Sequence, residues 1–331
     1  MLEILEDLKL DDEGNYIINK NTGEIKGNDW KQKKEQNILL VESYQRLGME
    51  NRAKKTKNCG SYLEFTKYKN GQKKLTQAYF CKDRLCGMCN WRKSNKMRGQ
   101  LTQIIEEIKE RDPKLKYLFL TLTIKNCSGD DLGKTITKLI EGQRKLLKYK
   151  KVNNNLVGTF RALEITVAKD GKYHPHLHLL LAVEPSYFYR KGKNYIAQKE
   201  WSLLWQKALK VDYIPVVDIK RAKGNNGVVE VAKYTVKATD YINANNKALT
   251  DERVIVLSKA LKGRRLLSYT GIFKEIKKEL MLVDIEDKDV DLIGAGENKQ
   301  EDEGIKEVYV WYLGFNPICN KKEFNYYKRK T

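Results

Sequence analysis

The sequence predicts an α+β fold, on three features of the 331-residue chain. Between about residues 115 and 250 the apolar positions switch repeatedly between a period of two and a period near 3.6. They read as strand 117–125, helix 130–149, strand 157–168, strand 173–183, helix 198–210, strand 213–220 and helix 228–245. A βαβ unit followed by a βαβα unit predicts a ferredoxin-like antiparallel sheet with helices on one face. Ahead of it, three of the six cysteines fall within nine positions, marking a separate Cys-rich segment.

Strand 117–125 places Leu118, Leu120, Leu122 and Ile124 on one side and Thr121 and Thr123 on the other. Strand 157–168 sets Leu163, Ile165 and Val167 opposite Ala162, Glu164 and Thr166. In strand 173–183 the three histidines of the chain, His174, His176 and His178, alternate with Leu177, Leu179, Leu181 and Val183. If the aliphatic faces pack on helices, Glu164, Thr121 and Thr123 share a surface with the histidines. A three-residue turn Asp170–Gly171–Lys172 with a bulge keeps both apolar faces on one side, pairing Glu164 with His178 and Thr166 with His176. Two imidazoles and a carboxylate can hold a divalent cation and leave positions open for substrate oxygens. That donor set suits Mn²⁺, admits Mg²⁺ when phosphate completes the shell, and leaves Zn²⁺ open. Helix 198–210 carries Trp201, Leu204, Trp205, Ala208 and Leu209 at helical spacing, a core stripe.

Helix 228–245 contains VVEVAKYTVKATDY, in which Glu230, Tyr234, Lys237 and Tyr241 follow spacings of four, three and four and form one stripe. A phenol can attack phosphorus if its proton is lost, and a lysine and a cation favour the phenolate of a group whose ordinary pKa is about 10. Tyr234 has Glu230 and Lys237 one turn to either side; Tyr241 has no carboxylate a turn before it.

Cys81, Cys86 and Cys89 are separated by four and two residues, and Cys59 precedes them with 21 residues intervening. The set is compatible with one tetrahedral Zn²⁺. Four then two is also the plant-type ferredoxin spacing. The basic surroundings, Lys82, Arg84, Arg92 and Lys93 with Lys96 and Arg98, favour a zinc knuckle facing DNA.

A surplus of 64 Lys+Arg over 43 Asp+Glu, net +21, attracts polyanions. The surplus is uneven: residues 51–100 hold 14 basic and 2 acidic side chains, while 284–303 hold 2 and 9. Four regions follow: an N-terminal extension 1–54, a basic Cys-rich zinc and DNA-binding module 55–105, a sheet domain 115–250, and a C-terminal region 251–331 with an acidic linker at 284–303. Trp311, Tyr312, Phe315, Phe324, Tyr326 and Tyr327 are expected to dock on a core rather than stack on bases. No apolar run approaches a membrane span, and the acidic start MLEILEDLKLDDEG is unlike a secretory signal, so the expected location is cytoplasmic, with no membrane partner.

FLTLT, HPHLHLLL and KYTVK appear in the order of the three motifs of HUH endonucleases, and with CKDRLCGMCNWRKS they resemble the plasmid Rep family over about residues 55–245. The resemblance implies initiation of rolling-circle replication: binding of plasmid origin DNA as duplex or hairpin, a single-strand nick, attachment to the 5′ end, and extension of the 3′-hydroxyl with host helicase and DNA polymerase. It implies His176 and His178 as the metal pair, Tyr234 as nucleophile and Lys237 as its helper. Glu164 fits the third ligand, with His174 as the alternative. Glu230 matches a glutamate that some members use to activate water when replication ends. The competing readings are an HUH relaxase or transposase and a non-catalytic, zinc-dependent DNA-binding regulator.

Overall fold

The computed structural model describes residues 3–6, 8–9, 15–18, 24–189, 194–222, 236–287, 290–293 and 304–329. In chain order the elements are α1 (Trp30–Arg46), α2 (Glu50–Asn58), β1 (Tyr62–Lys67), β2 (Lys73–Ala78), α3 (Gly87–Arg111), β3 (Lys116–Thr123), α4 (Leu132–Lys148), α5 (Lys150–Asn153), β4 (Leu156–Val167) and β5 (Tyr173–Val183). They continue as α6 (Gln198–Leu209), β6 (Val217–Ala222), α7 (Ala238–Tyr241), α8 (Lys247–Leu261), β7 (Leu267–Gly271), α9 (Ile272–Glu279), β8 (Ile305–Asn316) and β9 (Lys321–Lys328). The chain divides into two units, one of residues 1–92, 242–251 and 291–331, the other of 93–241 and 252–290. The fold is α+β, and the strand pairs of both sheets are antiparallel.

The first unit holds a four-stranded sheet in the order β2-β1-β8-β9. Its C-terminal hairpin sinks Tyr309, Tyr326 and Tyr327 into the core, and Trp30 meets Phe65 and Trp91 edge to face. Docking of the C-terminal aromatics therefore holds for Tyr326 and Tyr327, whereas Phe315 and Phe324 stay exposed near the hairpin turn.

The second unit holds a five-stranded sheet in the order β6-β3-β5-β4-β7. Leu120, Leu122, Leu163, Ile165, Leu177 and Leu179 are buried on one face, as period-two alternation demands. Helices α4 and α6 pack on each other and on β5 and β6. Gly142 permits that contact, since a Cβ there would come within 2.9 Å of Leu209 and 3.1 Å of Trp205. The expectation of helices on one face is too narrow. On the histidine face, alternation continues into Leu180 and Ala182, which with Phe119 and Phe160 are apolar and need cover; Met97, Leu101, Ile104 and Ile108 of α3 and Phe273 and Ile276 of α9 supply it.

The β4–β5 hairpin also departs from the expected register. Glu164 lies opposite His176, Thr166 opposite His174 and Ala162 opposite His178, a shift of two residues. The loop is Lys169–Asp170–Gly171, closed by Ala168 N–H to Lys172 O at 2.8 Å and Gly171 N–H to Ala168 O at 3.0 Å. A three-residue loop ends on its left-handed residue, and Gly171, at φ 80°, is the one that takes that conformation without strain. A turn centred on Gly171 would have placed Lys172 there.

Strand β6 starts at Val217 rather than 213 because Pro215 has no N–H to give the ladder. Of the expected helix 228–245, residues 228–235 lie outside the described residues, and the remainder forms only the single turn α7. Asn243 and Asn246 end it: Asn243 Oδ1 accepts from Asn245 N–H at 3.0 Å, and Asn246 Oδ1 caps α8 through Leu249 N–H at 2.9 Å. The acidic segment 284–303 is docked where it is described, with Ile285, Val290 and Leu292 buried and Glu286 accepting the N–H groups of Leu266 and Leu267 at 2.8 and 3.0 Å.

Trp205 is fully buried and its Nε1 donates to Thr123 O at 2.7 Å, tying α6 to the end of β3. Trp205→Ala is expected to cost about 3–5 kcal/mol of stability, read as a lower denaturant midpoint in chemical unfolding.

Candidate metal centres

Glu164, His176 and His178 meet on the polar face of the five-stranded sheet. Their ligand atoms lie within 4.8 Å of one another, and all three residues are buried. Glu164 Oε2 is 3.1 Å from His176 Nε2 and 2.7 Å from His178 Nε2. Each ring is oriented through its other nitrogen: His176 Nδ1 is 3.1 Å from the carbonyl oxygen of His174, and His178 Nδ1 is 3.2 Å from Thr121 Oγ1. His178 also stacks on Phe119, with ring centroids 5.5 Å apart. A histidine whose Nδ1–H is held by a carbonyl presents Nε2 as its lone-pair atom, the form that binds metals. Burial alone would raise the Glu164 carboxyl, but its close contacts with the His176 and His178 rings hold it well below the usual carboxylate range. The group thus offers an anionic oxygen and two nitrogens converging on one point, a donor set that could hold a divalent ion.

The register shift does not disperse the group, because Glu164 reaches His176 directly across and His178 diagonally. His174 is set apart: its Nδ1 is 2.7 Å from Asn126 Oδ1, and its imidazolium is disfavoured first by burial and then by the charge of His176.

Glu230 and Tyr234 lie outside the described residues. Lys237 is exposed, and its backbone N–H donates to Asp240 Oδ2 at 3.3 Å. Helix α7 packs on β4, the strand that carries Glu164. Tyr241, the rival nucleophile, has no exposed surface, so its phenol has no route to a phosphate. Asp240, a neighbour of Tyr241 in the sequence, has its carboxyl pushed upward by burial and then by the nearby Glu164 charge, against Lys237 and Arg253.

Cys59, Cys81, Cys86 and Cys89 form the second group, with Sγ atoms within 4.8 Å of one another. Cys59 Sγ is 3.6 Å from Cys86 and 3.5 Å from Cys89, and Cys81 is 3.6 Å from Cys89. A tetrahedral ion with metal–sulfur bonds of about 2.3 Å needs sulfurs about 3.8 Å apart, close to what is found. Backbone N–H groups of Cys81, Lys82 and Cys89 point at the sulfurs at 3.2–3.5 Å. Hydrogen bonds from the other three cysteines draw the Cys81 thiol down, while burial pushes those of Cys86 and Cys89 up. Cys127 and Cys319 belong to neither group.

Two residues around the cluster went unnoticed in the sequence: Lys34 and Asn37. Asn37 Nδ2 donates to Cys86 Sγ at 3.0 Å while its Oδ1 accepts from Gly87 N–H at 3.2 Å. Their signal was available, because Trp30, Lys34, Asn37, Val41 and Tyr44 form one buried stripe on α1 in which a lysine and an asparagine stand at apolar positions. Of the basic residues expected to face DNA, Lys82, Arg84 and Lys93 keep part of their surface. Arg92 does not: it is 2% exposed, donates from Nε to Leu292 O at 2.9 Å, and is therefore structural. Long aliphatic stems let an arginine be absorbed into an aromatic layer, here Phe80 and Trp91.

Glu164→Ala and His178→Ala are each expected to weaken Mn²⁺ binding roughly tenfold or more, with His174→Ala much milder, as read by paramagnetic-resonance titration. A larger loss with His174→Ala than with Glu164→Ala would move the third ligand to His174.

No helix among the described residues is long and apolar enough to cross a membrane. Residues 72–321 match the Rep_1 family, described as replication protein. A "Protein rep" of Streptococcus pneumoniae serotype 2 is 37% identical over 310 residues, covering 92% of this chain and 95% of that protein. A "Protein rep" of Lactiplantibacillus plantarum is 42% identical over 308 residues, covering 88% and 95%. A "Replication protein" of Staphylococcus aureus is 38% identical over 227 residues, covering 64% and 93%. No solved structure matches the chain. A match spanning most of the chain, with similar proteins aligned over nearly their whole length, places this chain in the Rep_1 family of replication proteins.

Proposed function

We propose that this replication protein initiates rolling-circle replication of a plasmid by nicking one strand of the origin through Tyr234, with a divalent ion held by Glu164, His176 and His178. The observation that carries the reading is the convergence of one carboxylate and two imidazoles on the sheet of a Rep_1 family member. The strand order β6-β3-β5-β4, joined as β3-α4-β4-β5-α6-β6, is that of a ferredoxin-like βαββαβ unit and supports assignment to the HUH fold. The similarity to proteins named as Rep and replication proteins favours an initiator over a relaxase or transposase.

Bound there, Mn²⁺ or Mg²⁺ would polarise the scissile phosphate. Tyr234 Oη attacks phosphorus, a P–O bond to tyrosine forms as the P–O3′ bond breaks, and the phenolic proton leaves while the 3′-oxygen gains one. Energy of the diester is retained in the 5′-phosphotyrosine, and the free 3′-hydroxyl primes the host polymerase, with a host helicase opening the duplex. Lys237 favours the phenolate, and Glu230 activates water for release when the round ends. The cysteine group binds Zn²⁺ and orders the basic segment that carries Lys82, Arg84 and Lys93 against origin DNA.

Incubation with labelled origin oligonucleotide and Mn²⁺ should leave a covalent protein–DNA species on a denaturing gel. Tyr234→Phe should abolish it while preserving metal binding, and His176→Ala should abolish cleavage while duplex binding persists. Glu230→Ala should form the adduct but accumulate it. A nucleotide mapped by mass spectrometry to another tyrosine, or origin binding with no cleavage under any divalent ion, would refute the mechanism.

A further inference from the structure

Lys34 is 2% exposed, and its ammonium donates three hydrogen bonds of 2.7 Å, to Lys57 O, Cys59 O and Ser61 Oγ. All three acceptors are neutral. A buried ammonium is costly unless a negative charge compensates it, and among the described residues no carboxylate is its partner. What it does adjoin is the cysteine group: its Nζ holds the carbonyl of Cys59 at 2.7 Å, and Asn37, one turn on, holds the sulfur of Cys86 at 3.0 Å.

We propose that the cysteine group binds a single divalent ion as a tetrathiolate of net charge −2, and that Lys34 is its built-in counter-charge and the positioning residue for Cys59. The proposal rests on the reading of the cysteines as a zinc site and goes beyond it. Four thiolates and a divalent ion leave two negative charges inside the unit; Lys34 neutralises one. The N–H groups of Cys81, Lys82 and Cys89 and the amide of Asn37 spread the other over four N–H···S contacts. Sulfurs 3.5–3.6 Å apart suit one ion and are too close to reach round a two-iron core, which sets aside the ferredoxin-like use of the same spacing. Lys34 and Asn37 stand one turn apart on α1, so one helix grips both sides of the site: Lys34 holds the carbonyl of Cys59, and Asn37 holds the sulfur of Cys86. Helix α1 and Cys59 both precede residue 72, where the family match begins, yet they complete the site.

The competing role for Lys34 is a plain cap on the last carbonyls of α2, one of which is Lys57 O. A cap would stabilise the unit with or without metal; a counter-charge acts on metal affinity. The test is Co²⁺ titration of the reduced full-length apoprotein, followed by Zn²⁺ competition. Thiolate-to-cobalt charge transfer counts the sulfurs, and the visible bands report tetrahedral geometry. The wild type should bind one ion with a tetrathiolate spectrum. Lys34→Met should keep that spectrum but bind about 10–100-fold more weakly, with little change in the melting temperature of the apoprotein. Lys34→Gln keeps donors without the charge and should fall with Lys34→Met; if Lys34→Met does not fold, Lys34→Gln carries the test. Wild-type affinity in either folded variant, or an apoprotein melting temperature lowered as much as that of the loaded protein, overturns the counter-charge. Absence of a tetrathiolate spectrum in the wild type overturns the zinc reading itself, and the proposal with it.

Discussion

The pairing of β4 with β5 is the constraint on which the second unit depends. One glycine in the left-handed region ends a three-residue loop, and from that point every residue of the two strands has its partner and its face assigned. A slip of one residue would turn Glu164 into the apolar side and leave a bare carboxylate among leucines. A slip of two preserves the faces, which is why alternation alone does not choose between the two registers. The long carboxylate arm tolerates the difference, since Oε2 reaches both imidazoles from its place opposite His176.

The two candidate metal centres solve opposite electrostatic problems. On the sheet, a single carboxylate and two neutral rings would leave a bound divalent ion with net positive charge, ready to attract a phosphate. In the cysteine group, four thiolates would overcompensate a divalent ion, and a buried ammonium and a set of N–H dipoles lie beside them. The first arrangement would favour an anionic ligand; the second would not.

Much of this was legible in the sequence where side-chain periodicity and backbone agree. Strands β3, β4 and β5 and helices α4 and α6 lie within two residues of their expected positions, because long alternating or 3.6-period runs leave little freedom. Proline and asparagine displaced the less periodic elements: Pro215 delayed β6, and Asn243 and Asn246 cut short the helix expected to reach 245. The four-stranded sheet of the first unit was not legible at all, since β1 and β8 are unremarkable alone and become a pair only through distant contact. Lys34 was hidden for another reason: a lysine in a basic segment reads as solvated, and only its place in an apolar stripe betrays it. Arg92 was misread for the same reason, its charge being visible in the sequence and its burial not.

The sheet order β2-β1-β8-β9 has a consequence for biosynthesis. Tyr326 Oη donates at 2.6 Å to the carbonyl of Gly60, the residue after Cys59, across 266 positions of chain. While the ribosome is still adding the intervening residues, β1 has one neighbour, β2, and an unsatisfied edge. A nascent chain can therefore finish the sheet that bears the histidines before the loop that presents Cys59 has its last support. Translation stopped before β8 would yield a protein with Glu164, His176 and His178 in place and β1 open to pairing with other chains, so full-length synthesis is a condition for a closed first unit.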